Sequence, residues 1–146
     1  MSKQFITLGR RELVSFPDLD LKKVTAKIDT GAYTAALHCS KIWTEEQENK
    51  TLLFFNLLDE SHPNYNQKTF CFAEYGKRKI KNSSGLFESR FTIKTRIKIG
   101  RKTIQASISL TDRGGMKYPV LIGRKLLNKR FLVDVSQLFL LEKKAK

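Results

Sequence analysis

Apolar and polar residues alternate with a period of two along much of this chain, the signature of strands that bury one face. The clearest case runs from Phe91 to Ile99. Phe91, Ile93, Thr95, Ile97 and Ile99 line one face; Thr92, Lys94, Arg96 and Lys98 line the other, which is polar and basic. Gly100-Arg101 then turns the chain. Ile104, Ala106, Ile108 and Leu110 alternate with Gln105, Ser107 and Ser109 beyond it. The pair predicts a hairpin with one wet face. Shorter strands are predicted at Phe5–Leu8, Leu13–Phe16, Val24–Ile28, Ala35–Ile42, Leu52–Leu58, Lys68–Glu74 and Phe131–Val135, with an apolar strand at Val120-Leu121-Ile122. Arg124–Lys129 reads as the best helix, about two turns. Asp59–Gln67, with Pro63 inside it, reads as a polar loop. Many short strands and one short helix predict a mainly β protein, a closed or nearly closed β-barrel.

Composition narrows the class. The chain has 146 residues, enough for one domain spanning residues 1–146 with a real core. An apolar fraction of 40% excludes a disordered chain. No apolar run approaches the roughly 20 residues that span a bilayer, so no membrane partner is expected. The first residues lack the apolar core of a signal peptide, and a cytoplasmic location follows by default. In that reducing compartment Cys39 and Cys71 are expected as two buried thiols rather than one disulfide. The formal charge of +14 concentrates anionic partners: nucleic acid, a ribosome, an anionic membrane or acidic peptides. Positive charge clusters at Lys77-Arg78-Lys79-Ile80-Lys81 and at the tail, Lys143 to Lys146, which is expected to fray.

Two short motifs carry chemistry. Ile28 runs into Asp29-Thr30-Gly31-Ala32, and far downstream Val120-Leu121-Ile122 runs into Gly123-Arg124. A carboxylate held beside a twin shares one proton and a water with it, because like charges that close cannot both ionise. One then serves as general base on the water while the other protonates the substrate. Thr30 is placed to bond across to a partner loop. Gly31 allows close backbone approach and turns its N–H toward the carboxylate. The Val120–Gly123 strand is suited to slide behind the Asp loop and shield it from water, with Gly123 at the contact. The chain holds one Asp-Thr-Gly, so two chains must meet to build one site. Read alone, Asp-Thr-Gly is also an ordinary β-turn, and the second motif a core strand entering a surface helix.

These residues resemble the retropepsins, the dimeric aspartic proteases of retroviruses. The longer runs Ala26–His38, Leu110–Arg113, Met116–Arg124 and Phe131–Asp134 are similar to a bacterial retropepsin-like family, the RimB-type proteins associated with the ligase RimK. Some members carry the name "ATP-dependent zinc protease". The resemblance covers most of residues 8–140; residues 43–75 match less clearly and read as an insertion. It implies a retropepsin-like β-barrel, an Asp29-centred site and a homodimer. It also implies an acidic substrate: glutamates that a RimK-type ligase adds to a ribosomal protein. The +14 charge suits such a tail.

Within that frame, Lys81 to Leu86 is expected to form the tip of a flap, with Lys79, Lys81, Ser84 and Gly85 toward substrate. Arg113, before Gly114-Gly115, either pairs with Asp112 or clamps a substrate carboxylate with its planar fork. Arg124 is expected to pair structurally with Asp134 or Asp18; Ile122 and Gly123 support the Asp loop. No metal or other cofactor is expected. His38 and Cys39 are neighbours, so on a strand they face opposite ways, and neither Cys-x-x-Cys nor His-Glu-x-x-His occurs. No phosphate-binding glycine loop occurs either, so ATP would belong to a partner. The rival function is a non-catalytic basic β-barrel that binds RNA, a ribosome or acidic tails through Lys94, Arg96 and Lys98. It lacks the interleaved aromatics that stack bases. A third possibility is an inactive dimer that only docks acidic tails.

Overall fold

The computed structural model describes residues 4–81, 84–112 and 117–141. Its strands are β1 (Ile6–Leu8), β2 (Arg11–Phe16), β3 (Leu21–Ile28), β4 (Ala35–Gln47), β5 (Lys50–Leu57), β6 (Thr69–Phe72), β7 (Gly76–Lys81), β8 (Phe87–Ile99), β9 (Lys102–Thr111), β10 (Val120–Ile122) and β11 (Phe131–Val133). One helix, α1 (Arg124–Leu127), follows β10.

Six strands close on themselves in the order β10-β3-β2-β8-β9-β4, with β4 pairing back to β10. Closure removes the open edges that a flat sheet would present. The alternation read from the sequence supplies the interior. Ile93, Ile97, Ile99, Ile108 and Leu110 are buried, while Lys94, Arg96 and Lys98 face out. Phe16 and Leu37 are fully buried in the same core. Gly100 makes the two-residue turn between β8 and β9 at φ +61°, where a side chain would be strained.

Outside the ring, β4 runs on as a long hairpin with β5, and β6 adds to β5. Phe70 and Phe72 pack on the buried ring of Phe55 there. Strand β1 pairs in parallel with β11, tying the two ends of the described chain together.

Three local expectations change. Strand β7 is missed by the alternation: Gly-Lys-Arg-Lys-Ile-Lys has no apolar face because both sides are largely exposed, so only a charge cluster and the expected flap tip beyond it marked the segment. The helix is one turn rather than two, because Asn128 leaves the helical region (ψ 128°) and Lys129 turns left-handed (φ +64°). Cys39 is buried but Cys71 is exposed, and both are free thiols. The basic tail lies outside the described residues, as do Asn82, Ser83 and Arg113.

A buried glutamate organises the ends. Glu12 is fully buried, and its carboxylate accepts the N–H groups of Gly9 (2.7 Å), Leu140 (2.9 Å) and Leu141 (3.1 Å). Such a charge is tolerable in the interior because backbone donors surround it. The segment after β11 is thereby strapped across β2.

Candidate active site

Strand β3 delivers Asp29, and β10 runs parallel beside it with Ile122 opposite Ile28. The Asp29 N–H donates to the Ile122 carbonyl at 2.9 Å, extending the ladder into the loop. Ala32 N–H donates back to the Asp29 carbonyl at 3.1 Å, closing the turn. Gly31 N–H donates to Asp29 Oδ1 at 3.0 Å. This bond orients the carboxylate. Asp29 is half-buried, and Thr30 and Gly31 are exposed at the rim.

The crossing strand sits hard against the far side of the loop. A Cβ on Gly123 would lie 2.5 Å from the Thr34 carbonyl oxygen and 2.7 Å from the Tyr33 carbonyl carbon. Only glycine permits that approach. The contact is then stitched by backbone: Arg124 N–H donates to the Ala32 carbonyl (2.8 Å) and Lys125 N–H to the Tyr33 carbonyl (2.9 Å). Ile122 is fully buried behind Asp29. The two sequence motifs are thus one structural unit.

Arg124 does not pair with Asp134 or Asp18 within the chain. Its guanidinium donates to the Thr30 carbonyl at 3.0 Å and lies over the Tyr33 ring, 5.8 Å from the centroid. The two acids are engaged elsewhere. Asp18 takes both prongs of Arg96, at 2.6 and 2.9 Å, and these hydrogen bonds hold its carboxyl below the usual carboxylate range. Asp134 accepts from the Ser136 hydroxyl and N–H. Arg96, expected on an RNA-binding face, is therefore already paired.

Strands β7 and β8 form the hairpin expected as a flap, with Lys81 opposite Phe87 as the last pair before the tip. Gly85 stands in the tip at φ +86°. Lys79, Lys81, Ser84 and Gly85 are all exposed on this hairpin. Its reach to the Asp loop runs through Arg78, whose guanidinium lies 5.9 Å from the Tyr33 centroid. In the sequence Arg78 is only one member of a basic cluster and Tyr33 only one position of the Ala26–His38 run, and neither is singled out there as a site residue. Tyr33 directly follows Ala32 and is half exposed (52%), which for a large aromatic beside a candidate site is the signal that marks it. Leu86 and Phe87 leave an apolar tip, 67% and 68% exposed.

A groove runs from Thr30 and Arg124 to Phe5 and Leu132, between the Asp loop and the β1–β11 pair. Phe5 and Leu132 are 40% and 54% exposed along it.

A closed six-stranded ring, an Asp-Thr-Gly turn at the end of one strand and a strand–glycine–helix crossing behind it define a retropepsin-like domain. The chain belongs to the RimB-like family, described as retropepsin-like aspartic endopeptidase RimB, which residues 7–144 match. It is also similar to part of two longer proteins, each called a probable alpha-L-glutamate ligase. One, from Shewanella pealeana, is 31% identical over 99% of this chain and 31% of its own length. The other, from Desulfotalea psychrophila, is 32% identical over 87% of this chain and 27% of its own length. The chain thus spans less than a third of these curated relatives. A crystal structure of a Legionella pneumophila protein of unknown function, assigned to DUF785, superposes with a TM-score of 0.75 at 27% identity. That match covers 95% of this chain and all of the other. Among the described residues no helix is long and apolar enough to cross a membrane.

Proposed function

We propose that the chain is one half of an aspartic peptidase, and that two copies place their Asp29 carboxylates side by side. The observation that carries this reading is the Asp29 turn itself: a half-buried carboxylate, oriented by the Gly31 N–H and anchored to the Ile122 carbonyl, with no second acid in the turn. In the dimer one ionised Asp29 takes a proton from water, and the resulting hydroxide bonds to the peptide carbonyl carbon. The other, protonated, Asp29 hands its proton to the carbonyl oxygen. Collapse of the tetrahedral intermediate breaks the C–N bond as the amine nitrogen takes up a proton. Because the pair must hold one proton, activity follows a bell in pH. The groove beside Thr30, with exposed Phe5 and Leu132 and the outer edges of β1 and β11, is suited to receive the second copy.

The substrate class is an acidic protein tail, glutamate-rich where a RimK-type ligase has acted. Support comes from the +14 charge, from the lysines and Arg78 on the hairpin over the Asp turn, and from relatives called glutamate ligases. The ribosome is a source of such tails, and a RimK-type ligase a partner. Ala32, Lys79, Lys81, Ser84, Gly85 and Arg113 are the residues assigned to hold the tail, with Arg78 added to them.

The test is a peptide ending in several glutamates, incubated with the purified chain and followed by mass spectrometry. The wild type should cleave it as a dimer in sedimentation. Asp29→Asn should keep the fold and the dimer yet cut about a thousandfold more slowly or worse. Undiminished cleavage by Asp29→Asn, or full activity from a monomer, would refute the dyad.

A further inference from the structure

Away from Asp29, the fold gathers three metal-ligand side chains that are distant or unremarkable in sequence. His38 lies on β4 and is buried, with a relative exposure of 1%. Asp59 and His62 come from the loop after β5. One ligand atom from each of the three lies within 4.8 Å of the others.

The backbone around them is well held. His38 N–H donates to the Pro119 carbonyl (2.8 Å), and Leu58 N–H donates to the His38 carbonyl (2.9 Å). His62 N–H donates to the Asp59 carbonyl (3.0 Å), so the two loop ligands share one turn. Asp59 Oδ1 accepts the Ser61 N–H at 2.8 Å, which leaves Oδ2 to face His38 Nε2 at 2.6 Å.

Two imidazole nitrogens are left over. His62 Nε2 and His38 Nδ1 are both buried, and neither has a hydrogen-bond partner among the described residues. A buried polar atom without a partner is costly and uncommon, and coordination to an ion removes that cost at His62 Nε2. His38 faces Asp59 through Nε2 and would coordinate through that nitrogen, not through Nδ1. The side-chain spacing fits as well. Tetrahedral zinc, with bonds near 2.0–2.1 Å, holds its ligand atoms roughly 3.3 Å apart. The trio, with separations from 2.6 to within 4.8 Å, brackets that value. Two imidazoles and one carboxylate are also the donor set that suits a borderline divalent ion such as zinc or ferrous iron.

We propose that His38, Asp59 and His62 form a binding site for a divalent transition-metal ion of the zinc class, which fastens the 59–67 loop to β4. Binding releases to solvent the proton shared between His38 Nε2 and Asp59 Oδ2, and the ion gains His62 as its third protein ligand. The site is distinct from the Asp29 turn. Ile28 and Asp29 lie level with Ile122 at one end of β10, whereas His38 lies level with Pro119, just beyond the other end. Its role is therefore to hold the loop in place, and the peptidase chemistry at Asp29 does not pass through it.

The test uses the full chain carrying Cys71→Ser, which removes the exposed thiol as a competing ligand. The protein is stripped with chelator and titrated with zinc chloride by calorimetry and by thermal unfolding. Cobalt chloride then reports coordination through its visible absorption. The expected result is one zinc per chain, a raised Tm and a tetrahedral cobalt spectrum. His62→Ala, a loop change outside the ring, should weaken zinc roughly a hundredfold or more while the metal-free Tm stays near that of the parent. Asp59→Asn should weaken it in the same direction, and Asp29→Asn should bind as the parent does. The last arm separates failure of this site from failure of the peptidase reading. No zinc binding, or binding unchanged by both His62→Ala and Asp59→Asn, would overturn the proposal.

Discussion

Replacing Gly123 with alanine is the sharpest test of how the crossing strand supports Asp29. The added Cβ would sit 2.5 Å from the Thr34 carbonyl oxygen, 2.7 Å from the Tyr33 carbonyl carbon and 2.8 Å from the Thr34 carbonyl carbon. All three are backbone atoms, so no side chain can swing aside. The φ of Gly123 is −94°, so alanine meets no torsional penalty and the whole effect is steric. Relief requires parting two chains joined by the Arg124-to-Ala32 and Lys125-to-Tyr33 hydrogen bonds. Overpacking of this kind typically costs about 1–3 kcal/mol. Loss of one bond adds about 1 kcal/mol. A destabilisation of about 2–4 kcal/mol is expected, a fall in Tm of roughly 6–14 °C for a domain of this size. Urea denaturation followed by tryptophan fluorescence measures it, Trp43 being the single reporter. Gly31→Ala is the matched control. Its Cβ would meet only Asp29 Oδ1, at 3.3 Å, and should cost about 0.5 kcal/mol or less. Equal stability of Gly123→Ala and wild type would show that the approach is not tight and would refute the steric argument.

Other outcomes follow from the same geometry. Glu12→Gln keeps the shape but turns one acceptor into a donor facing backbone N–H groups; a loss of about 2 kcal/mol in urea unfolding is expected, with earlier proteolysis near Leu140. A loss below about 0.5 kcal/mol would mean the strap is held by other contacts. In native protein a thiol reagent should modify Cys71 quickly and leave Cys39 untouched, because burial pushes the Cys39 thiol well up; denaturant should release the second equivalent. Asp18 has a folded-state pKa below its unfolded value of about 4. Its contribution is therefore full above that value and disappears as pH falls through the folded one. Asp18→Asn should thus lower stability at pH 7, and the gap to wild type should narrow as pH is taken progressively below about 4. A gap that stays constant on acidification would rule out the ionised pair as its cause.

Much of this protein is legible in one dimension. Strand pairing between β8 and β9 follows from strict alternation, since a slip of one residue would bury Lys94, Arg96 and Lys98. The Asp-Thr-Gly turn and the strand–Gly123–helix element are separately visible, and the resemblance carried by the runs around them points to the right family. Short-range patterns suffice wherever the chain is buried on one side, because burial imposes a period on the residues themselves.

Tertiary structure alone decided the rest. Strand β7 has no apolar face to announce it; its pairing with β8 is what makes it a strand. The partners of Arg124, Asp18 and Asp134 depend on which loops the closed ring brings within a few ångströms. A residue type constrains what it can bond, not where a partner will be. Glu12 looks like any surface acid until the C-terminal segment crosses it. His38, Asp59 and His62 show no metal-ligand spacing, because their meeting depends on β4, the loop after β5 and Pro119 closing around one point. The sequence determined the strands with a buried face and the Asp-Thr-Gly turn. The closed ring determined the neighbours each polar group received, because contacts between residues far apart in the chain exist only once the ring has formed.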